Sequence, residues 1–204
     1  MADGTLKVGQ ITTSSGSGTI TLGQSGETLS VPSGATLDIA SGATLDTTGA
    51  TVTGISGNVI TSADTWRLTT DYSGDADPIS SNLEQNDDAS FEVIGTPMSV
   101  SSGIFTFPET GKYFITASFQ MYNTSSQAFG NIYYTVNNSS YSVGANCRSQ
   151  MASTSYNAIT TSMIFDVTST TNCKIKFTTS GGGTIMGNSG YNATHFQFIR
   201  IGST

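Results

Sequence analysis

The chain has 204 residues, a formal net charge of −7, 10% charged and 9% aromatic residues, and 23 glycines. That length allows one full domain plus a smaller extension. The seven cationic side chains (Lys7, Arg67, Lys112, Arg148, Lys174, Lys176 and Arg200) are scattered, which argues against a nucleic-acid groove, and no run approaches the roughly 18 apolar residues of a membrane helix. In chain order, residues 1–25 come first: Leu6, Val8 and Ile11 precede the turn SSGSG and the alternating GTITLG. This reads as a short sticky strand followed by a hairpin or a first repeat, and is assigned as an anchoring segment. The opening MADGTLKVGQ is polar and carries no signal-peptide core, so synthesis in a reducing cytoplasm is expected.

Residues 26–58 are organised by a repeat. Gly26, Gly34, Gly42 and Gly49 open the segments GETLSVPS, GATLDIAS, GATLDTT and GATVTG, with steps of eight, eight and seven residues. Leu29, Val31, Leu37, Ile39 and Leu45 recur as apolar positions between Thr, Ser and Asp. A unit with one or two apolar side chains cannot by itself offset about 1–2 kcal/mol of backbone entropy per residue. Several identical chains wound side by side would cover each other's apolar positions, giving a β-shaft. The alternative is a flexible Gly/Ser/Thr linker.

After ISGNVITSAD, at residues 55–62, the sequence becomes all-β over 63–204. DTWRL, SFEVIG, GIFTF, GKYFITASFQMY, NIYYTV, SYSVGANC, AITTSMIFDV, CKIKFTT and HFQFIRIG alternate at period two between Gly, Asn and Ser clusters. Such strands, about eight to ten in 140 residues, fit a two-sheet jelly roll. In GKYFITASFQMY, Tyr113, Ile115, Ala117, Phe119 and Met121 share one face, and Phe114 and Tyr122 share the other. Apolar residues on both faces point to a second buried surface, such as a neighbouring subunit.

The run Phe105, Gly111, Tyr113 and Ile115 in IFTFPETGKYFITASF, with Phe196 and Phe198 in the closing HFQFIRIG, resembles the globular heads of the complement-q and tumour-necrosis-factor-like family. The resemblance implies a jelly-roll head that trimerises with its last strand near the threefold axis, and assigns Phe105, Gly111, Tyr113, Ile115, Phe119, Phe196 and Phe198 to the core and trimer contacts. The whole layout resembles short fibre proteins of tailed bacteriophages, especially those of marine bacteria. That likeness implies a homotrimer on the virion exterior. Its N-terminus would dock on a tail or capsid protein, and its head would meet a bacterial surface glycan or protein.

Chemistry is sparse. His195 is the single histidine, so Ser/His/Asp or Cys/His catalysis would have to use it; no catalytic role is expected. Three copies on an axis would present it as a His-only ion site, against the plainer reading of a packed strand residue. Cys147 and Cys173 are expected as free thiols. The loop DYSGDADPISSNLEQNDDAS offers Asp71, Asp75, Asp77, Glu84, Asp87 and Asp88. Its first three carboxylates are candidate calcium ligands, although the spacing matches no EF-hand and such a loop is commonly just solvated. Tyr141, Tyr156 and Tyr191, in or beside Asn/Ser/Gly-rich loops, are the receptor-binding candidates. The expected protein is a virion fibre that attaches to the host; a capsid decoration fibre is the alternative, and a glycan depolymerase is a third possibility.

Overall fold

The computed structural model describes residues 11, 18–21, 26, 28–46, 60–88, 90–122, 127–150 and 154–204. The chain divides into two units, 1–54 and 55–204. In the first, the repeat has a defined turn. The Ala35 amide donates to the Pro32 carbonyl and the Ala43 amide to that of Ala40, both at 3.0 Å. Gly34 and Gly42 hold φ of +83° and +85°, the left-handed value that the third residue of a type II turn requires and that glycine adopts without strain. Among the described residues, none of 28–46 pairs with another strand. Leu29, Val31, Leu37, Ile39 and Leu45 are all exposed, Leu29 to 65%. Ile11 is exposed as well; Leu6 and Val8 lie outside the described residues.

The second unit is an all-β sandwich. Its strands are β1 (Ala63–Leu68), β2 (Tyr72–Ser73), β3 (Leu83–Gln85), β4 (Ser99–Ser101), β5 (Ile104–Thr106), β6 (Gly111–Tyr122), β7 (Gln127–Thr135), β8 (Ser142–Gln150), β9 (Tyr156–Val167), β10 (Lys174–Ser180), β11 (Thr184–Ile185) and β12 (His195–Gly202). One antiparallel sheet runs β9-β6-β12-β1-β3, with β11 and β2 extending from the end of β6; the other runs β4-β5-β10-β7-β8. The period-two alternation of β6 is realised: Tyr113, Ile115, Ala117, Phe119 and Met121 are buried, while Lys112, Phe114 and Tyr122 face outward. SFEVIG does not form the expected strand. Only Ile94 makes a bridge, to Ala63, and Phe91 is exposed; alternation alone leaves a segment unpaired when no neighbouring edge lies alongside it.

An aromatic cluster fills the space between the sheets. Phe177 and Phe196 stack at 3.8 Å between centroids, and Phe105 touches Trp66, Phe177, Phe196 and Phe198 at 5.2–6.2 Å. Phe119 packs on Phe196, and Tyr113 on Phe107. Gly111 is set by crowding: with φ at +149°, an added Cβ would lie 2.3 Å from the Arg200 Nε and 2.7 Å from the Gly202 carbonyl oxygen.

The strand registers define two ends. At the proximal end the chain enters through Thr61 and Ser62, whose partners are Glu109 and Arg200, beside the start of β6 and the end of β9. At the distal end lie Tyr122 opposite Tyr156 and Gln127 opposite Gln150, together with the β11–β12 connection, which is tied to Leu68 and Gln120.

Candidate functional site

The outward face of the β9-β6-β12-β1 sheet carries an apolar row that the registers make continuous. Ile164 lies opposite Phe114, Phe114 opposite Ile199, Ile199 opposite Ala63, and Ala63 opposite Ile94. Ile164 is 64% exposed and Phe114 38%. Toward the distal end the same face turns to small polar side chains: Thr116, Ser162 and Gln197 in one row, then Ser118, Thr160 and His195 in the next. Thr160 donates to Ser118 Oγ at 3.2 Å. Such residues let another backbone approach closely and still satisfy polar groups. The face closes at the distal end with Tyr122 and Tyr156, their rings 4.5 Å apart. A row of exposed apolar residues flanked by polar ones has the composition of a protein contact surface.

The seven residues assigned to core and trimer lie elsewhere. Phe105, Tyr113, Ile115, Phe119, Phe196 and Phe198 are buried inside one copy of the sandwich, as is the Gly111 backbone. They face the opposite sheet, so any contact with another copy falls to the alternate positions of the same strands. Of the receptor-binding candidates, Tyr156 and Tyr191 are exposed at the distal end. Tyr141 is not with them. It lies beside the proximal end, its ring 4.9 Å from the Lys176 ammonium, which also sits 5.2 Å from Tyr133. Its neighbour Tyr134 points into the core against Phe165.

The three calcium candidates are not brought around a common point. Asp71 Oδ1 accepts from the Gly187 amide at 3.0 Å, Asp75 Oδ1 from Gly182 at 2.7 Å, and Asp77 Oδ1 from Lys176 Nζ at 2.6 Å. Among the described residues, no three His, Cys, Asp or Glu side chains cluster in metal-binding fashion. His195 is half-buried on the outward face, its Nδ1 3.3 Å from the Ala193 carbonyl. Both cysteines are free thiols; burial pushes the Cys147 thiol up to about 11, against the opposing pull of a backbone hydrogen bond with Gly130.

Two charged arrangements were not legible beforehand. Arg67 is 1% exposed because the acidic loop folds over it: Glu84 lies at 2.6 Å, Asp88 at 2.7 Å and Asp87 at 3.4 Å. The half of the loop expected to be solvated is thus a lid on a buried guanidinium. Arg67→Ala removes these charge-assisted bonds; since the carboxylates themselves reach solvent, the expected loss is about 1–2 kcal/mol in chemical unfolding.

Asp64 is 5% exposed. Its Oδ2 accepts from Trp66 Nε1 at 2.8 Å and the Met98 amide at 2.9 Å, while Oδ1 has no partner. Burial raises its pKa above the ordinary 3.8, outweighing the two hydrogen bonds. A carboxyl that holds its proton more tightly when folded contributes stability that is complete below the unfolded pKa and lost as pH rises through the folded one. Asp64→Asn keeps the acceptor oxygen and removes the charge. Its stability relative to the parent chain is therefore expected to rise as the pH is raised above the ordinary 3.8 in urea titrations; parallel curves would refute this.

No family model and no curated protein sequence matches the chain. Solved structures do match the sandwich. Murine APRIL, crystallised at pH 8.5, superposes with a TM-score of 0.53 at 11% identity, over 68% of this chain and 98% of that one. The Eiger TNF of S. frugiperda gives 0.56 at 10% identity, over 70% of this chain and 93% of that one. The head has a TNF-like jelly-roll fold. At such identities the likeness extends to the fold alone. In this TNF-like head the apolar row and the distal tyrosines are properties of the chain's own sequence.

Proposed function

We propose that the chain is a homotrimeric fibre of a tailed phage, carried on the virion exterior, whose TNF-like head attaches to the bacterial surface through a glycan. The observation that carries the reading is the coexistence of two uncovered apolar surfaces in one chain. Leu29, Val31, Leu37, Ile39 and Leu45 of the repeat are exposed, and so are Phe114 and Ile164 on the sandwich. Each needs partners, and further copies of the same chain supply them to both. Residues 1–25 serve as the virion anchor, 26–58 as the intertwined shaft and 63–204 as the head.

Attachment, not catalysis, is the proposed work. The single histidine lies in a strand beside Arg67 and Ser118, with its ring nitrogen near a backbone carbonyl. Exposed Tyr156 and Tyr191 at the end remote from the chain entry offer amphipathic rings suited to sugar recognition. The test is twofold. Labelled full-length chain is expected to adhere to host bacteria and to compete with virions for them, and electron cryomicroscopy of virions is expected to place its density at the tail. Adhesion-negative protein with density on the capsid lattice would make it a decoration fibre; release of reducing sugar from host envelopes would make it an enzyme.

A further inference from the structure

The outer face of the β4-β5-β10-β7-β8 sheet holds a shallow groove of about 390 Å³, lined by Asp75, Ala76, Asp77, Asn131, Tyr133 and the Thr178–Ser180 stretch of β10. It exists because the 75–79 segment lies along β10, where Ala76 bridges Thr179 and the Ile79 amide donates to the Phe177 carbonyl. The two aspartates thereby form one wall, opposite residues over 50 positions later in the chain. We infer that this groove is a subsite for a neutral sugar residue of the host glycan, an inference that rests on the reading of the head as the glycan-attaching end.

The lining supplies what a pyranose requires. Tyr133 offers a phenolic oxygen and the part of its ring not covered by the Lys176 ammonium, which stands 5.2 Å from its centroid. Asn131 donates one amide hydrogen to Thr178 Oγ1 at 3.0 Å and accepts from Asn146 at 2.5 Å, which fixes the orientation of its amide and leaves a second N–H. Asp75 and Asp77 each commit one oxygen, to the Gly182 amide and to Lys176. Their second oxygens remain as acceptors for sugar hydroxyls. Donors and acceptors therefore converge beside an aromatic ring in an open groove of about 390 Å³, the kind of placement by which a few polar groups orient a small ligand. With Asp77 paired to Lys176, the wall keeps one uncompensated carboxylate, Asp75, which disfavours uronic and sialic acids.

The position of the groove is equally informative. The apolar row faces outward from the other sheet, so copies that join through that row leave this groove open to solvent on every subunit. Three weak subsites on one fibre would then act together, as host adhesion by a low-affinity ligand requires.

The experiment is saturation-transfer NMR on the full-length chain, with the methyl glycosides of glucose, galactose, mannose and N-acetylglucosamine as probes and methyl glucuronide as the anionic control. Transfer to at least one neutral glycoside is expected, with none to the glucuronide. Tyr133→Ala is expected to weaken binding about tenfold or more. Asp75→Asn, which retains the acceptor for Gly182, should weaken it as well without changing thermal unfolding. Absence of transfer to every neutral glycoside, or equal transfer to the glucuronide, would overturn the inference. So would a signal that survives both variants and disappears in Tyr156→Ala or Tyr191→Ala. That last result moves the ligand to the distal loops and leaves the attachment reading intact, whereas failure of the labelled chain to adhere to host cells removes that reading itself.

Discussion

Phe105→Ala is expected to destabilise the head by about 3–5 kcal/mol, the upper range for loss of a fully buried aromatic side chain. Phe105 is completely buried and is the ring on which both sheets meet. It contacts Trp66 of β1, Phe177 of β10, and Phe196 and Phe198 of β12. These neighbours belong to hydrogen-bonded strands and cannot collapse far into the vacated space, so a cavity term adds to the lost transfer free energy. A domain of this size loses about 2–4 °C in Tm per kcal/mol, so the midpoint is expected to fall by about 6–20 °C at fixed protein concentration. By contrast, Phe91, which is exposed outside any strand, should tolerate alanine with a change within about 0.5 kcal/mol. Equal losses at the two positions would contradict the packing described.

The second large effect concerns assembly. Phe114→Asp combined with Ile164→Asp places two carboxylates side by side at register-paired positions in the centre of the apolar row. Both residues are exposed in the single copy, so the sandwich core is untouched and the unfolding of an isolated subunit should change little. If the row is the contact between copies, each subunit would bury two unpaired charges, at several kcal/mol apiece. Association of the heads would then be lost, and the double variant is expected to sediment as single chains at concentrations where the parent chain is assembled. A variant that stays assembled would move the stabilising contacts to the repeat, where the Leu29, Val31, Leu37, Ile39 and Leu45 side chains offer the other uncovered surface.

The long strands were legible because burial on one side imposes alternation. β6 and β9 follow the sequence pattern along their lengths and β12 follows it as far as Phe198, and the repeat glycines mark turns at Gly34 and Gly42. What escaped depends on contacts remote in sequence. SFEVIG alternates as well as any strand, but finds only a one-residue bridge. Arg67 is only one of seven scattered cations in the sequence, and its burial comes from the loop carrying Glu84 and Asp88 closing over it. The groove wall of Asp75 and Asp77 is defined by the pairing of Ala76 with Thr179, which no local pattern announces. Parity was decisive for the tyrosines: Tyr133 faces the groove and Tyr134 the core, a distinction carried by a single residue of register. Tyr141 lies at the opposite end of the sandwich from Tyr156 and Tyr191, since loops of similar composition occur at both ends.

The most direct test of the account is sedimentation equilibrium of the full-length chain at micromolar concentration. The account predicts a mass close to three times the 21.2 kDa of one chain, independent of concentration over the micromolar range. A mass of 21.2 kDa would show that neither the repeat nor the apolar row is covered by further copies, and would contradict the trimeric fibre.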